Sequence, residues 1–285
     1  MNLVDPVFDQ GHTDKYKLSI LLLPDGFSFC VLDTRTLTYV AIGDYSGKPS
    51  ELSVSPRKDT QWDHLRNQIQ EVDLFRHNYV KIDLAYGSPK VTLVPPGFLQ
   101  DEPGEHYFRF NHSLDASEVI KSQVIPVGEM TALFSVPSGI VQVSRELFPG
   151  AALGCTASAL IQGLLMANAH ILARQVFIHT WGNYFDIVVI QGRRLLYFNT
   201  FIKHAPEDLA YYVIYVLEQL GFIPAEEQVV LMGDIAKDSD EFNLLYQYID
   251  RIHFAGLDTD AGFSPVFSEV LVHRYYLLFT LPFCE

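Results

Sequence analysis

Two stretches of this chain read as versions of one another. The first runs Ser19-Ile-Leu-Leu-Leu-Pro-Asp-Gly26, then Phe27-Ser-Phe-Cys-Val-Leu-Asp33, then Leu37-Thr-Tyr39. The second runs Val176-Phe-Ile-His-Thr-Trp-Gly182, then Tyr184-Phe-Asp-Ile-Val-Val-Ile190, then Leu195-Leu-Tyr197. Each is strand, glycine turn, strand, short turn, strand, and each leads into an amphipathic helix. A recurrence this long is not a solenoid unit. It predicts two domains of one fold facing each other across a cleft.

The 285 residues suffice for two ordinary domains, and a hydrophobic fraction of 48% supplies their cores. Net charge is −14, which opposes binding to a phosphate backbone or to an anionic membrane. The expectation is therefore no nucleic acid partner. Cys30, Cys155 and Cys284 have no framework spacing, and the first two lie in apolar runs where a thiol acts as a small hydrophobe. A reducing, cytoplasmic setting follows. The first ten residues lack a basic region and a long apolar stretch, so they do not read as a signal peptide. No apolar run approaches the roughly 18 residues of a membrane span, so no direct membrane insertion is expected.

Along the first half, strands are predicted at 16–23, 27–32 and 37–42, a polar loop at 47–57, and a helix at 60–76 with Asp59 or Thr60 as cap. Strands follow at 81–86 and 90–94, then an acidic loop at 100–106. Asp115-Ala-Ser-Glu118 reads as a capping box opening a short helix. A strand at 130–136, a helix at 138–147, a short strand at 151–156 and a helix at 159–173 complete this half. In the second half three strands fill 175–202. The next helix has Pro206 at its start, Glu207 and Asp208 in its first turn, and Gly221 at its end. A strand at 228–232, a helix after Asp238-Ser-Asp-Glu241 and a strand at 251–255 follow. Residues 267–279 fit helix or strand alike, and the parallel with 138–147 favours helix. Domains are expected at 1–173 and 174–285. Each reads β-β-β-α-β-α-β-α, which implies a mixed sheet with helices on its faces.

This order resembles the actin-like ATPases, built from two ribonuclease H-like domains with mixed five-stranded sheets. The second half is similar to the cytoplasmic actin-like proteins of cell division and type IV pilus assembly. Those families open their second domain with an apolar residue followed by D-x-G, a Thr four residues on, a strand, a Gly turn and another strand. Here stand Ile178-His-Thr-Trp-Gly182, Asp186, an apolar strand, Gly192 and the strand beginning at Leu195. Val229-Val-Leu-Met-Gly233 stands where those families keep an adenosine-contacting Gly-Gly, and Leu22-Leu-Pro-Asp-Gly26 stands at the first phosphate motif. The ending, Val272-His273-Arg274-Tyr275-Tyr276 through Phe283-Cys284-Glu285, also resembles a family of uncharacterised bacterial proteins of this fold without assigned activity.

The resemblance implies a nucleotide site at Gly26, Gly182 and Gly233. Such a site needs backbone amides on the phosphates, carboxylates that hold Mg²⁺ through water, and close backbone approach at the adenosine. The chain departs from that pattern at each motif. Asp25 directly precedes Gly26, where Pro-Asp-Gly is an ordinary turn sequence. Thr180 replaces an Asp, and a hydroxyl cannot orient a metal-bound water as a carboxylate does. Asp186 replaces a hydroxyl residue and would repel phosphate. Asp234 replaces the second glycine. The expectation is no cofactor, with ATP and Mg²⁺ as the alternative.

No other motif carries chemistry. The ten His show no ligand spacing, and His170 and His179 read as surface or capping residues rather than metal ligands. Cys155 in Gly154-Cys-Thr156 reads as buried and inert, since nothing basic adjoins it. Asp33 and Asp186 sit on the second strands of their hairpins, away from the first-strand position that two-metal nuclease chemistry uses. Tyr211, Tyr212, Tyr215, Tyr246 and Tyr248 read as core or half-core, serving packing between the domains. No residue is assigned as catalytic or as a metal ligand. Two functions remain open. One is a non-enzymatic actin-like scaffold or interaction module with an unidentified protein partner. The other is a divergent ATPase or sugar-kinase-like phosphotransferase. Nothing in the sequence sets an oligomeric state.

Overall fold

The computed structural model describes residues 1–45, 58–99, 104–257 and 259–284. The polar loop expected at 47–57 lies outside the described residues. Strands β1 (Asn2–Val4), β2 (Tyr16–Leu23), β3 (Gly26–Asp33) and β4 (Thr38–Asp44) lead to helix α1 (Lys58–Gln70) and strand β5 (Lys81–Tyr86). Then come β6 (Val91–Val94), α2 (Gly104–Asn111), β7 (Glu118–Ile125), β8 (Met130–Pro137), α3 (Ser138–Leu147), β9 (Leu153–Cys155) and α4 (Thr156–Ala167). The second half runs β10 (Arg174–Trp181), β11 (Tyr184–Gln191), β12 (Arg194–Ile202), α5 (Pro206–Gln219), β13 (Gln228–Gly233), α6 (Asp240–Tyr246) and β14 (Arg251–Phe254). It closes with β15 (Gly262–Phe263) and α7 (Tyr276–Thr280).

One strand order recurs. The first large sheet holds β4-β3-β2-β5-β9 and the second β12-β11-β10-β13-β14. In each, the first three strands pair antiparallel and the last two add in parallel. The expected five strands describe the second sheet. The first has seven, because β1 and β15 both pair with the outer edge of β4.

The sheets are buried on both faces, which is why their central strands are continuous apolar runs rather than alternating ones. Leu18, Ile20, Leu22, Phe27 and Phe29 face α1 and α3, whose Leu65, Ile69, Ile140 and Val143 cover them. The opposite face presents Leu21, Cys30, Leu32 and Ile42 to α4 and α7. Phe177, Val188, Ile190 and Met232 of the second sheet enter that same core. The outer face of the second sheet packs on α5 and α6 through Leu209, Val213, Leu217 and Leu245. The layers are therefore helices, first sheet, α4 with α7, second sheet, helices. Asp208 starts α5 as expected, accepting from His204 N at 2.7 Å and Ala205 N at 3.0 Å.

Three expectations change. Glu118 opens strand β7 rather than a helix. Its carboxylate does accept from Asp115 N at 3.0 Å, but also from Ser135 Oγ at 3.2 Å and Lys90 Nζ at 2.7 Å. After it, the β-branched Val119, Ile120, Val124 and Ile125 flank Lys121-Ser-Gln123, and the segment pairs along β8. The acidic loop expected at 100–106 ends early. Residues 104–106 begin α2, whose Phe108 packs with Val94 and Leu133 on the small sheet β6-β8-β7. Finally, β15, Phe279 and Pro282, grouped by sequence with the second domain, meet the first sheet, while His273 and Arg274 reach the second. At the first sheet β15 pairs with β4, Tyr39 donates to Phe279 O, and Lys17 Nζ donates to Pro282 O at 3.1 Å.

Candidate functional site

The turns β2–β3 and β10–β11 point at one another across the junction of the two sheets. Together they border a cavity of about 80 Å³, lined by Asp25, Asp44, Thr180, Gly233, Asp234 and Arg274 among others. The Asp25 carboxylate lies 3.8 Å from where a Cβ on Gly182 would stand. Gly182 itself has φ +51°, a turn conformation that side-chain-bearing residues rarely adopt.

Behind the second turn is a buried polar network. Asp186 faces His179 across the hairpin. One of its carboxylate oxygens accepts from His179 Nδ1 and from Trp181 Nε1, both at 3.0 Å. The other accepts from Thr200 Oγ1 at 2.7 Å. Asp186 is 2% exposed and His179 7%. A carboxylate this buried is tolerated because donors replace its lost water. The Trp181 ring stacks on Tyr184 at 4.8 Å and reaches the first half, 3.3 Å from where a Cβ on Gly87 would lie.

The C-terminal segment enters the cleft from the other side. The Tyr275 hydroxyl donates to Asp44 Oδ2 at 2.7 Å. The Arg274 guanidinium lies 3.3 Å from Asp234 and 3.9 Å from Asp44. One residue pair thus ties strand β4 of the first sheet to the loop after β13 of the second. Burial first, then the hydrogen bond to Asp44, raises the Tyr275 phenol above its ordinary value. His273, whose ring is tilted against that of Phe254 at 4.3 Å, shares a hydrogen bond of 3.1 Å with Ile235 O. Burial lowers its pKa.

Gly233 has a local explanation. Its φ is +86°, and a Cβ there would stand 2.0 Å from Thr180 O. Only glycine lets β13 approach β10 so closely, and the contact is sealed by Asp234 N donating to Thr180 O at 2.9 Å. The Thr180 hydroxyl is turned to Met232 O at 3.4 Å.

Of the residues singled out by sequence, Asp25, Thr180, Gly182, Gly233 and Asp234 share the cavity wall. Gly26 carries the first turn, and Asp186 stands one layer behind. His179, expected at a surface or cap, is buried and paired with Asp186; His170 is exposed. Burial pushes the Cys155 thiol up to about 12. Asp33 accepts from Arg35 N at 2.8 Å in the turn before β4. Tyr211, Tyr215, Tyr246 and Tyr248, expected in the core, are 49–62% exposed. Sequence reasoning missed Asp44 and Arg274 as cleft residues. The only signal was the distinctive run 272–276.

A model of the family described as protein of unknown function (DUF3822) matches residues 5–252. The chain belongs to the DUF3822 family. No curated protein sequence matches it. Its fold is the actin-like ATPase fold, as the resemblance implied. A Bacteroides thetaiotaomicron protein with that fold and unknown function superposes at a TM-score of 0.77 and 21% identity, covering 98% of this chain and 100% of its own. The PilM–PilN type IV pilus biogenesis complex gives 0.60 and 11%, over 94% and 98%. The ethanolamine utilization protein EutJ of Carboxydothermus hydrogenoformans gives 0.52 and 10%, over 99% and 93%. At such identities the likeness to this DUF3822 chain is one of fold. No helix among its described residues is long and apolar enough to cross a membrane.

Proposed function

We propose that this chain is an actin-like scaffold that binds a protein partner and has lost the nucleotide site of its fold. The observation that carries this reading is the Arg274–Tyr275 segment, which spans the cleft from Asp44 to Asp234. The space left is about 80 Å³, whereas sites for drug-sized ligands have about 300–1,000 Å³. The residues do not fit a magnesium nucleotide. The Thr180 hydroxyl is committed to backbone, the Asp186 carboxylate to three donors, and Asp25, Asp44 and Asp234 bring negative charge where phosphates would lie. The glycines that remain have packing and turn roles of their own. The PilM–PilN complex, a fold relative that works with a protein partner, supports the scaffold reading by analogy. Three free cysteines support a reducing, cytoplasmic setting.

Thermal melting with and without Mg-ATP tests this. A ligand at 100 times its dissociation constant adds about 2.7 kcal/mol. The expected result is an unchanged melting temperature. A clear upward shift would replace the scaffold with an ATP-binding protein.

A further inference from the structure

The two sheets treat equivalent edges differently. In the first, the outer edge of β4 is covered by two extended segments, β1 in antiparallel and β15 in parallel register. In the second, β12 holds the same place in the strand order and pairs only with β11 among the described residues. It is nine residues long, with exposed Leu196 and Ile202. It contains no proline and no lysine, and its β-bulge at Leu196 has a counterpart at Val40 of β4, an edge that nonetheless accepts β1 and β15.

Beside this edge lies an aromatic ladder. Phe201 of β12 stacks on Tyr212 of α5 at 4.7 Å, and Tyr212 meets Tyr211 at 5.1 Å. The rings of Tyr211 and Tyr215 lie parallel, 6.2 Å apart, at 62% and 49% exposure. Tyr197 of β12 is half-buried against the same core as Phe201 and Tyr212, so it stands on the face of the strand that α5 covers. At the start of the strand, Arg193 and Arg194 are exposed and form no ion pair among the described residues. In a chain of net charge −14, this end of the edge is a local cationic spot.

We propose that the outer edge of β12 is a docking site for an extended segment of a partner protein. That segment adds as a strand, lays apolar side chains over Tyr197, Tyr211 and Tyr215, and carries acidic residues at the end that meets Arg193 and Arg194. Main-chain hydrogen bonds supply the affinity in such strand addition, and alternate side chains supply the specificity. The first sheet shows the geometry in the same molecule, since β1 does to β4 what the partner segment does to β12. The inference rests on the partner-binding reading and narrows it to one surface.

The test is to pan a phage-displayed random nonapeptide library on the full chain, then measure the enriched peptides by fluorescence anisotropy. Enrichment of alternating apolar residues with an acidic end is expected. Binding should weaken about tenfold or more in Tyr211→Ala/Tyr215→Ala. Arg193→Glu/Arg194→Glu should remove the preference for acidic peptides. Methylating peptide amides one at a time should abolish binding at every second position, a period that only strand pairing produces. These side chains are exposed, so both variants should melt with the parent. Enriched peptides indifferent to both variants, a methylation scan without that period, or no enrichment would each overturn the edge assignment. The first two outcomes would leave the partner-binding reading standing, because a peptide still binds. A dimer in sedimentation velocity that the tyrosine variant dissolves would assign the edge to a second copy and overturn the partner segment.

Discussion

The two hairpins at the cleft have the same register but different chemistry. Two positions before each turn, the cross-strand pair is Leu21–Ser28 in the first hairpin and His179–Asp186 in the second. Both line or back the same cavity. The first pair is an apolar contact beside a hydroxyl, and its turn is made rigid by Pro24. The second is a buried ionisable pair tied to Trp181 and Thr200. A cleft wall that needed only packing could use the first solution twice. The second solution costs desolvation and repays it only when every donor is matched. It therefore makes the second hairpin the more specifically shaped wall of the cleft.

The largest expected effect comes from breaking that network. Asp186→Ala strands two buried donors, His179 and Trp181, and the half-buried Thr200, and should lower stability by about 3–5 kcal/mol. Ser28→Ala, its counterpart in the first hairpin, should cost at most about 1.5 kcal/mol. Urea unfolding of the two variants measures the contrast, and equal losses would erase it. A middle effect concerns the tie between the halves. Tyr275→Phe removes the hydrogen bond to the Asp44 carboxylate and should cost about 1.5–3 kcal/mol, read from the urea midpoint at constant slope. The smallest is a pH effect on the second-sheet side of that tie. The His273 pKa is lowered from 6.5, so the unfolded chain takes up the proton first. Its contribution to stability is full above pH 6.5, falls as pH drops below 6.5, and levels off below the folded pKa. Melting temperature against pH should be flatter through that window in His273→Gln than in the parent.

Much of this was legible from local pattern. Residues 16–44 and 174–202 were readable as hairpins because apolar density and turn residues act over a few positions. The stripe Leu209, Val213, Val216 and Leu217 marked α5 in the same way. The misreadings have physical causes. Asp115-Ala-Ser-Glu118 reads as a helix start because a carboxylate three residues after Asp115 can cap a helix or close a turn, and only pairing with β8 chooses between them. Tyr211 and Tyr215 read as core or half-core because composition cannot tell an aromatic under a sheet from one on a helix flank. At the cleft, the close contact of Gly233 with Thr180 joins β13 to β10, a pairing between strands some fifty positions apart that local pattern does not encode.

Local sequence sets most of the order of strands and helices and the two glycine-turned hairpins. These are set by periodicity and local stereochemistry. Tertiary packing alone brings β15 to β4 and Tyr275 to Asp44, and leaves β12 paired only with β11 among the described residues. Tyr275 and Asp44 are 231 positions apart. A hydrogen bond across that separation leaves no trace in local pattern, because its geometry exists only once both sheets have packed around α4 and α7.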